Sequence, residues 1–330
     1  MDLIGIMERA LVSAVGRDAI AYSLLALGLN IHFGYTGLLN FGQVAFAAAG
    51  AYGVAVTVTY FGLSLWTGLL VGLIGALIFA LILGVPTLRL RTDYLAITTI
   101  AFSEIVRLSV RSVPARDVTG GSFGLGQFAD QFYAVNPFPP GTYGFGPWQF
   151  NANGTWVLFM GWGLVAVAAL VSFLLMRSPW GRVVKSIRED EDAARSLGKN
   201  VYSYKLQSLA LGGVFGCLAG FVFAIDSQSV QPDFFATPVT FFAYTALITG
   251  GTARIFGPIV GSMIFWVLLS MSDGLLRGGV NAGYIPTWLM DGTQVGQVRF
   301  MLVGLGLMLL MIFRPQGVFG DKKELALDAR

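Results

Sequence analysis

Charge is scarce in this chain of 330 residues: Asp, Glu, Lys and Arg make up 12% of it, against 55% hydrophobic residues. Soluble domains carry roughly a quarter charged residues. The deficit, with a mean hydropathy of +0.71, excludes an ordinary soluble domain and points to a polytopic membrane protein. Cysteine occurs once, at Cys217, and histidine once, at His32, which excludes a disulfide framework and a metal site built from Cys or His. The net charge of +3 is too small to mark a nucleic-acid binder; in a membrane protein such an excess reports cytoplasmic loops. The sequence also lacks H-E-x-x-H, G-x-S-x-G and the G-x-x-x-x-G-K-[ST] phosphate loop. No catalytic residue, metal or cofactor is therefore expected, and any ATP that drives the protein is hydrolysed on another polypeptide. The N-terminus lacks a basic leader before an apolar core, so no cleaved signal peptide is expected. It reads as a short interfacial amphipathic helix or a frayed tail.

What the chain has is long apolar runs. Residues 40–61, 64–85, 155–176, 206–225, 257–271 and 298–313 approach or exceed the length that crosses ~30 Å of hydrocarbon. They show no polar alternation, so the expected fold is an all-α membrane helical bundle rather than a barrel. About nine transmembrane elements (8–10) are expected in a single domain over 1–330: 18–35, 40–61, 64–85, 94–112, 155–176, 205–226, 238–250, 257–275 and 298–313. Elements 18–35 and 238–250 are short or interrupted, and each reads as a half-crossing on a pathway or as a plain interfacial loop. Basic residues set the sides. Seven fall in 177–205, and the tail adds Arg314, Lys322 and Lys323, while 113–154 holds only Arg116. The positive-inside rule places 177–205 and the C-terminus in the cytoplasm and 113–154 outside. Counting back through nine spans leaves the N-terminus outside. The external loop 113–154, rich in Gly, Pro and aromatics, is expected to be an ordered cap.

Small residues recur every fourth position in three spans: Ala45, Ala49, Gly53; Gly68, Gly72, Ala76, Ala80; and Gly212, Gly216, Gly220, Ala224. That spacing puts them on one helix face and is a packing signal. Glu104, Arg107 and Arg111 share a face of the fourth span. An isolated charge near mid-span costs at least ~3 kcal/mol on insertion scales. The three are read either as a polar feature of a transport route or as an intrahelical Glu104–Arg107 pair with Arg111 reaching outward. Asp226 and Asp233, at the outer end of span six, read as ordinary solvated carboxylates. His32 reads as a structural hydrogen-bonder.

Residues 177–205 form an island that carries 11 of the chain's 39 charged residues. Ser178-Pro179 signals a helix start and Gly198 a stop. Trp180, Val183, Val184, Ile187, Ala194, Leu197 and Val201 make an apolar stripe, and Arg182, Lys185, Arg188, Glu189, Asp190 and Asp192 lie opposite. The acidic run Glu189–Asp192 would be repelled by anionic headgroups, which favours a protein partner over a helix lying on the bilayer.

The string GRVVKSIREDEDAARSLGKNVYSYKLQSLALGGVFGCLAG (181–220) resembles the coupling loop and following helix of branched-chain amino acid ABC transporter permeases of the LivM type. Further pieces resemble the same family: GYTGLLNFGQVAFAAAGAY (34–52), LRLRTDYLAITTIAFSEIVRL (88–108) with TGGSFGL (119–125), GGTARIFGPIVGS (250–262) and FRPQGVFG (313–320). The matches are collinear over nearly the whole chain. They imply a type II-like permease in the bacterial inner membrane, forming half of the pathway of an importer. It would pair with a homologous second permease, two cytoplasmic ABC ATPases and an external substrate-binding protein. The alternative is a self-contained secondary transporter or channel for small polar solutes. By resemblance, the ATPase-coupling residues are Arg182, Arg188, Glu189, Asp190, Ala193, Ala194, Leu197 and Gly198, acting as a rigid lever on spans five and six. On that basis Arg188→Glu with Ala194→Glu is expected to abolish stimulated ATP hydrolysis and leave insertion normal. The pathway candidates are Asn40, Gln43, Glu104, Arg107, Thr119, Gly120 and Gly121. Nothing in the chain selects among branched-chain amino acids, other amino acids, urea or amides.

Overall fold

The computed structural model describes residues 3–90, 92–284, 294–313 and 317–320. Helix α1 (Leu3–Ser13) bends by 41° into α2 (Arg17–Leu29), whose helical backbone continues as a π-turn over Asn30–Tyr35. Then come α3 (Gln43–Thr59), α4 (Leu65–Thr87) and α5 (Thr92–Arg111). The segment after α5 holds two short helices, α6 (Arg116–Thr119) and α7 (Asp130–Ala134), and a strand β1 (Leu125–Gly126). It closes with a hairpin of β2 (Thr142–Phe145) and β3 (Trp148–Asn151). Long α8 (Ala152–Arg177) leads to α9 (Pro179–Glu189), α10 (Glu191–Ser196) and α11 (Val201–Ser227). Strand β4 (Ser229–Val230) pairs antiparallel with β1, and α12 (Pro238–Gly250), α13 (Phe256–Asn281) and α14 (Val295–Phe313) complete the bundle.

The small-residue stripes explain how the helices meet. On α4 the bundle-facing positions include Gly68, Gly72, Ala76 and Ala80, while Leu70, Ile74, Leu77 and Leu81 point away and are exposed. A Cβ added to Gly53 of α3 would lie 2.5 Å from Gly72 Cα, and one on Gly220 of α11 would lie 1.8 Å from the Ala47 carbonyl. Backbones therefore touch where apolar solvent offers no drive for association. Helix α2 is buried along nearly its whole length, with α3, α11, α12 and α13 around it.

Two ends of the bundle can be told apart by contacts. At one end Arg17 Nη1 donates to Asp226 Oδ2 (2.7 Å), Ser13 Oγ to the Trp266 carbonyl (3.1 Å), and Trp148 Nε1 to the Leu11 carbonyl (3.0 Å). The Leu65 amide donates to Gln131 Oε1 at the same end (2.8 Å). At the other, Arg188 Nη1 donates to the Gly34 carbonyl, Tyr202 Oη to the Val85 carbonyl, and the Val318 amide to the Thr249 carbonyl. The 113–154 segment holds short helices and strands, and its β2–β3 hairpin sits at the first end with the α1–α2 bend.

Length and composition qualify four helices as membrane-crossing among the described residues: α4, α8, α11 and α13, or five if bent α1–α2 is one span. The expected count of about nine is not reached on that criterion among the described residues: α3, α12 and the first part of α14 count as shorter apolar helices, and the charged α5 is in neither group. Interruption at 18–35 is milder than the sequence suggested. His32, Gly34 and Tyr35 stay in helical backbone, and Arg17–Tyr35 spans roughly 28 Å at about 1.5 Å per residue.

Candidate functional site: a coupling segment, a buried hub and a charged cluster

Ser178 caps α9, with its Oγ accepting from the Gly181 amide at 3.5 Å and Pro179 in the first turn. The single helix expected from Ser178 to Gly198 is instead broken. Asp190 takes extended backbone (φ −155°, ψ 107°), and its Oδ1 accepts from the Asp192 and Ala193 amides at 2.9 Å each. Asp190 thus caps a second helix, and Gly198, at φ +75°, closes it. A short polar side chain that bonds its own backbone competes with a continuing helix, which is why the segment has two pieces.

The apolar stripe also differs from expectation at one point. Val184, Ile187, Ala194 and Val201 are buried, but Leu197 is 79% exposed. Arg188, expected on the solvent face, turns inward to the Gly34 carbonyl (2.5 Å). Lys185 Nζ lies 5.7 Å from the Tyr35 ring centroid, and Trp180 Nε1 donates to Gln207 Oε1 (2.8 Å). Lys205 of α11 pairs with Glu191 of α10. The segment is therefore clamped to the π-turn of α2 and to α11, not only tethered to α8 and α11. Arg182, Glu189, Asp190, Ala193, Leu197 and Gly198 remain exposed. Sequence reasoning placed Trp180 and Lys185 on the segment's two faces and held Gly34, Tyr35 and Gln207 within matched stretches, but it gave none of the five a clamping role.

A second constellation is buried. Between the π-turn and α3 the chain leaves helical backbone at residues 37–42, and side chains from elsewhere satisfy it. The Asn40 amide donates to Tyr244 Oη (3.1 Å), the Phe41 amide to Thr99 Oγ1 (3.0 Å), and the Val44 amide to Thr240 Oγ1 (3.1 Å). The Tyr244 hydroxyl in turn donates to the Asn40 carbonyl (3.0 Å). Asn40 Nδ2 reaches His32 Nδ1 (3.2 Å) and Gln43 Oε1 (3.3 Å), and Gln43 Nε2 donates to the Gly212 carbonyl (2.8 Å). His32 Nε2 meets the Leu209 carbonyl at 3.2 Å. A carbonyl only accepts, so the proton sits on Nε2 and Nδ1 accepts from Asn40. Asn40 and Gln43 are 1% and 0% exposed; the structure brings these two pathway candidates together as a buried hub. Non-helical backbone inside a bundle requires this kind of internal satisfaction.

The third constellation joins α5 to the turn after α11. Glu104 Oε2 pairs with Arg107 (2.9 Å), Arg107 Nη1 and Arg111 Nη1 both reach Asp233 Oδ1 (3.1 Å), and Thr237 Oγ1 donates to Glu104 Oε1 (2.7 Å). Asp233 stays solvated, 65% exposed, as the sequence suggested, but it is also the partner of two arginines, so Arg111 does not simply reach outward. Asp226 likewise holds Arg17. The cluster is only partly covered: the Arg107 side chain is 17% exposed and that of Glu104 33%. Ile97, Ile105 and Leu108 on the same helix are exposed.

Thr119, Gly120 and Gly121 fall close to the end of α5. Thr119 Oγ1 lies 2.6 Å from the Val110 carbonyl and 2.9 Å from that of Ala115. Gly120 has φ +75°, and a Cβ there would lie 1.9 Å from the Gly124 carbonyl. The loop needs glycine at that position both for conformation and for space.

A family profile described as the branched-chain amino acid transport system / permease component matches residues 11–313. The high-affinity branched-chain amino acid transport system permease protein LivM of Salmonella typhimurium is 33% identical over 309 residues, covering 90% of this chain and 67% of that protein. Two proteins of Methanocaldococcus jannaschii also align. Its probable branched-chain amino acid transport permease protein LivM is 25% identical over 341 residues, 91% of each chain. Its probable LivH is 25% identical over 320 residues, 93% of this chain and 92% of that one. With a profile covering most of its length and a relative one-third identical over nine-tenths of it, the chain belongs to the branched-chain amino acid transport system permease family.

Proposed function

We propose that the chain is the membrane permease subunit of an ATP-driven importer for branched-chain amino acids in the bacterial inner membrane. The observation that carries this reading is the α9–α10 segment. It is a charged, two-piece helical element, clamped to α2 and α11 with its outer face free, in a chain with no phosphate loop of its own. Such an element is a receiver for a soluble motor. Two ATPases, an external binding protein and a homologous second permease complete the assembly; likeness to both LivM and LivH in one organism supports a pair of related permeases.

Nine helical segments cross the membrane in this reading, with the N-terminus and 113–154 outside and the C-terminus inside. The two sets of end contacts support it. Helices α2, α4 and α11 each make contacts of both sets, and the basic segment 177–205 lies at the end that holds Gly34 and Val85. Helix α5 belongs at the pathway between the two permeases. Ionisable groups in a membrane face bundle interiors or water-filled cavities, yet Glu104 and Arg107 are not fully covered by this chain alone. Motion enters through α9–α10 as a shear or hinge input, reaching the α2 π-turn and the hub beneath it.

The test is purification from native membranes with identification of companions, followed by leucine uptake in liposomes. ATP-dependent uptake with ATPases present, competed by isoleucine and valine more than by urea, is expected. Recovery as a lone homomer that transports without ATP would reject the importer and favour a self-contained transporter.

A further inference from the structure

Between the end of α4 and the start of α11, beside α10, lies a cavity of about 540 Å³ walled chiefly by Arg89, Glu191, Arg195, Lys199, Tyr202 and Lys205. Four of these side chains are cationic and one is anionic. Glu191 is already engaged twice, by Arg195 (2.8 Å) and by Lys205. Arg195 also reaches Asp192 at 3.0 Å, a second carboxylate tied to the group. Even counting it, two positive charges stay uncompensated. Among the described residues neither Arg89 nor Lys199 is paired with a carboxylate. Arg89 instead stacks with its guanidinium carbon 5.6 Å from the Tyr202 ring centroid, and Tyr202 is pinned by its hydroxyl to the Val85 carbonyl. The ring face draws the guanidinium to it and leaves its N–H groups without a carboxylate, so they suit phosphate oxygens.

Position narrows the ligand. The cavity begins at Leu88, one residue past the apolar α4, which ends at Thr87. In the orientation proposed above, on which this inference rests for its sidedness, that is the level of the inner-leaflet headgroups. Basic pockets between helices on that side recognise anionic headgroups. One wall of the cavity is α10, so an occupant touches the coupling segment and the membrane bundle together.

We propose that this cavity binds a phosphate-bearing anion, supplied by an anionic phospholipid headgroup. The bound phosphate sits against Arg89 and Lys199, beside Glu191, and ties α10 to the α4–α5 connection.

The test uses the full chain with lipid retention read by native mass spectrometry, after exchange from nanodiscs of phosphatidylglycerol or of phosphatidylcholine. A separate arm titrates inorganic phosphate into protein in a neutral detergent. Arg89→Glu with Lys199→Glu changes two exposed side chains that hold no carboxylate. Arg177→Glu with Arg182→Glu makes the same charge change nearby at exposed positions outside the cavity. The wild type is expected to retain phosphatidylglycerol over phosphatidylcholine, with retention falling at least ~tenfold in the first variant and holding in the second. Phosphate binding that depends on Arg89 and Lys199, without a phosphatidylglycerol preference, upholds the anion site and assigns it a soluble source. Equal loss in both variants means general surface charge and overturns the proposal. So does the absence of both lipid preference and phosphate binding, or occupation of the cavity only by an acidic segment of a partner protein. Failure here leaves leucine uptake by the assembled importer intact, so it is separable from failure of the importer reading.

Discussion

Gln43 illustrates how single polar side chains hold this bundle open to an irregular turn. Its amide nitrogen ties α3 to the Gly212 carbonyl of α11, and its oxygen receives Asn40. Gln43→Ala removes both bonds and leaves one Asn40 amide hydrogen without a partner in a buried site, while Asn40 keeps His32 and Gly212 keeps its place in the α11 ladder; a stranded buried polar group costs about 1–3 kcal/mol. The purified variant should melt at a clearly lower temperature in detergent than the wild type; an unchanged melting curve would remove the hub from the fold's essential contacts. At α5, Arg107→Gln deprives Glu104 and Asp233 of a shared partner. Membrane yield should stay normal while leucine uptake by the assembled importer falls about tenfold, equivalent to about 1.4 kcal/mol. Undiminished uptake would make the cluster a structural pair only. Sequence spacing exposed Glu104, Arg107 and Arg111 as one face because they are close along the chain. Asp233 lies 126 residues from Arg107, and no local periodicity links them. The same holds for Asn40 and Gln43: the matched stretch singled them out, but their partners Gly212 and Tyr244 come from distant helices.

At the scale of the element, α9–α10 was the most legible part of the chain, because clustered charge at helical spacing stands out against apolar flanks. Its start at Ser178 and its stop at Gly198 could be read from capping residues. The break at Asp190 could not, because Asp inside an acidic run gives no sign of whether it will cap a new helix or face solvent. Which face meets the bundle also depends on tertiary contact: Arg188 reads as a surface residue until Gly34 is placed beneath it. The coupling test changes accordingly. Arg188→Glu with Ala194→Glu breaks the clamp and inserts charge at a position 3% exposed, so it damages the element itself. Arg182→Glu with Leu197→Glu alters two exposed positions and leaves the clamp intact. That variant should insert normally and lose transport-coupled ATP hydrolysis when assembled with ATPases; full coupling would place the ATPase contact elsewhere. Asp190→Ala should cost about 1 kcal/mol through the lost cap, read as faster amide exchange across Glu191–Ser196.

For the whole molecule, the apolar runs predicted a helical bundle correctly and its element boundaries to within a few residues, since periodicity and length suffice for that. Element 238–250 matches α12, but 40–61 overstated α3, because apolar residues flanking a helix end look the same as those within it. The order of crossings is open to a direct measurement that the lone cysteine makes simple. Cys217 is fully buried, and Cys217→Ala leaves a background without thiols. Single cysteines at exposed positions Glu8, Asp93, Gln149 and Ser196 can then be offered an impermeant maleimide. Nine crossings require Glu8→Cys and Gln149→Cys to label in right-side-out vesicles, and Asp93→Cys and Ser196→Cys only in inverted ones. The Glu8 position is decisive, because α1 is bound to α13 and to the β2–β3 hairpin and must share their side. Labelling of Glu8→Cys from the same side as Ser196→Cys would place the α1–α2 bend in the cytoplasm, make the count even, and turn α2 from a spanning helix into a re-entrant one. Arg17–Asp226 would then join groups on opposite sides of the membrane, which a 2.7 Å ion pair forbids, so that outcome would overturn the packing of α2 against α11 as well as the topology.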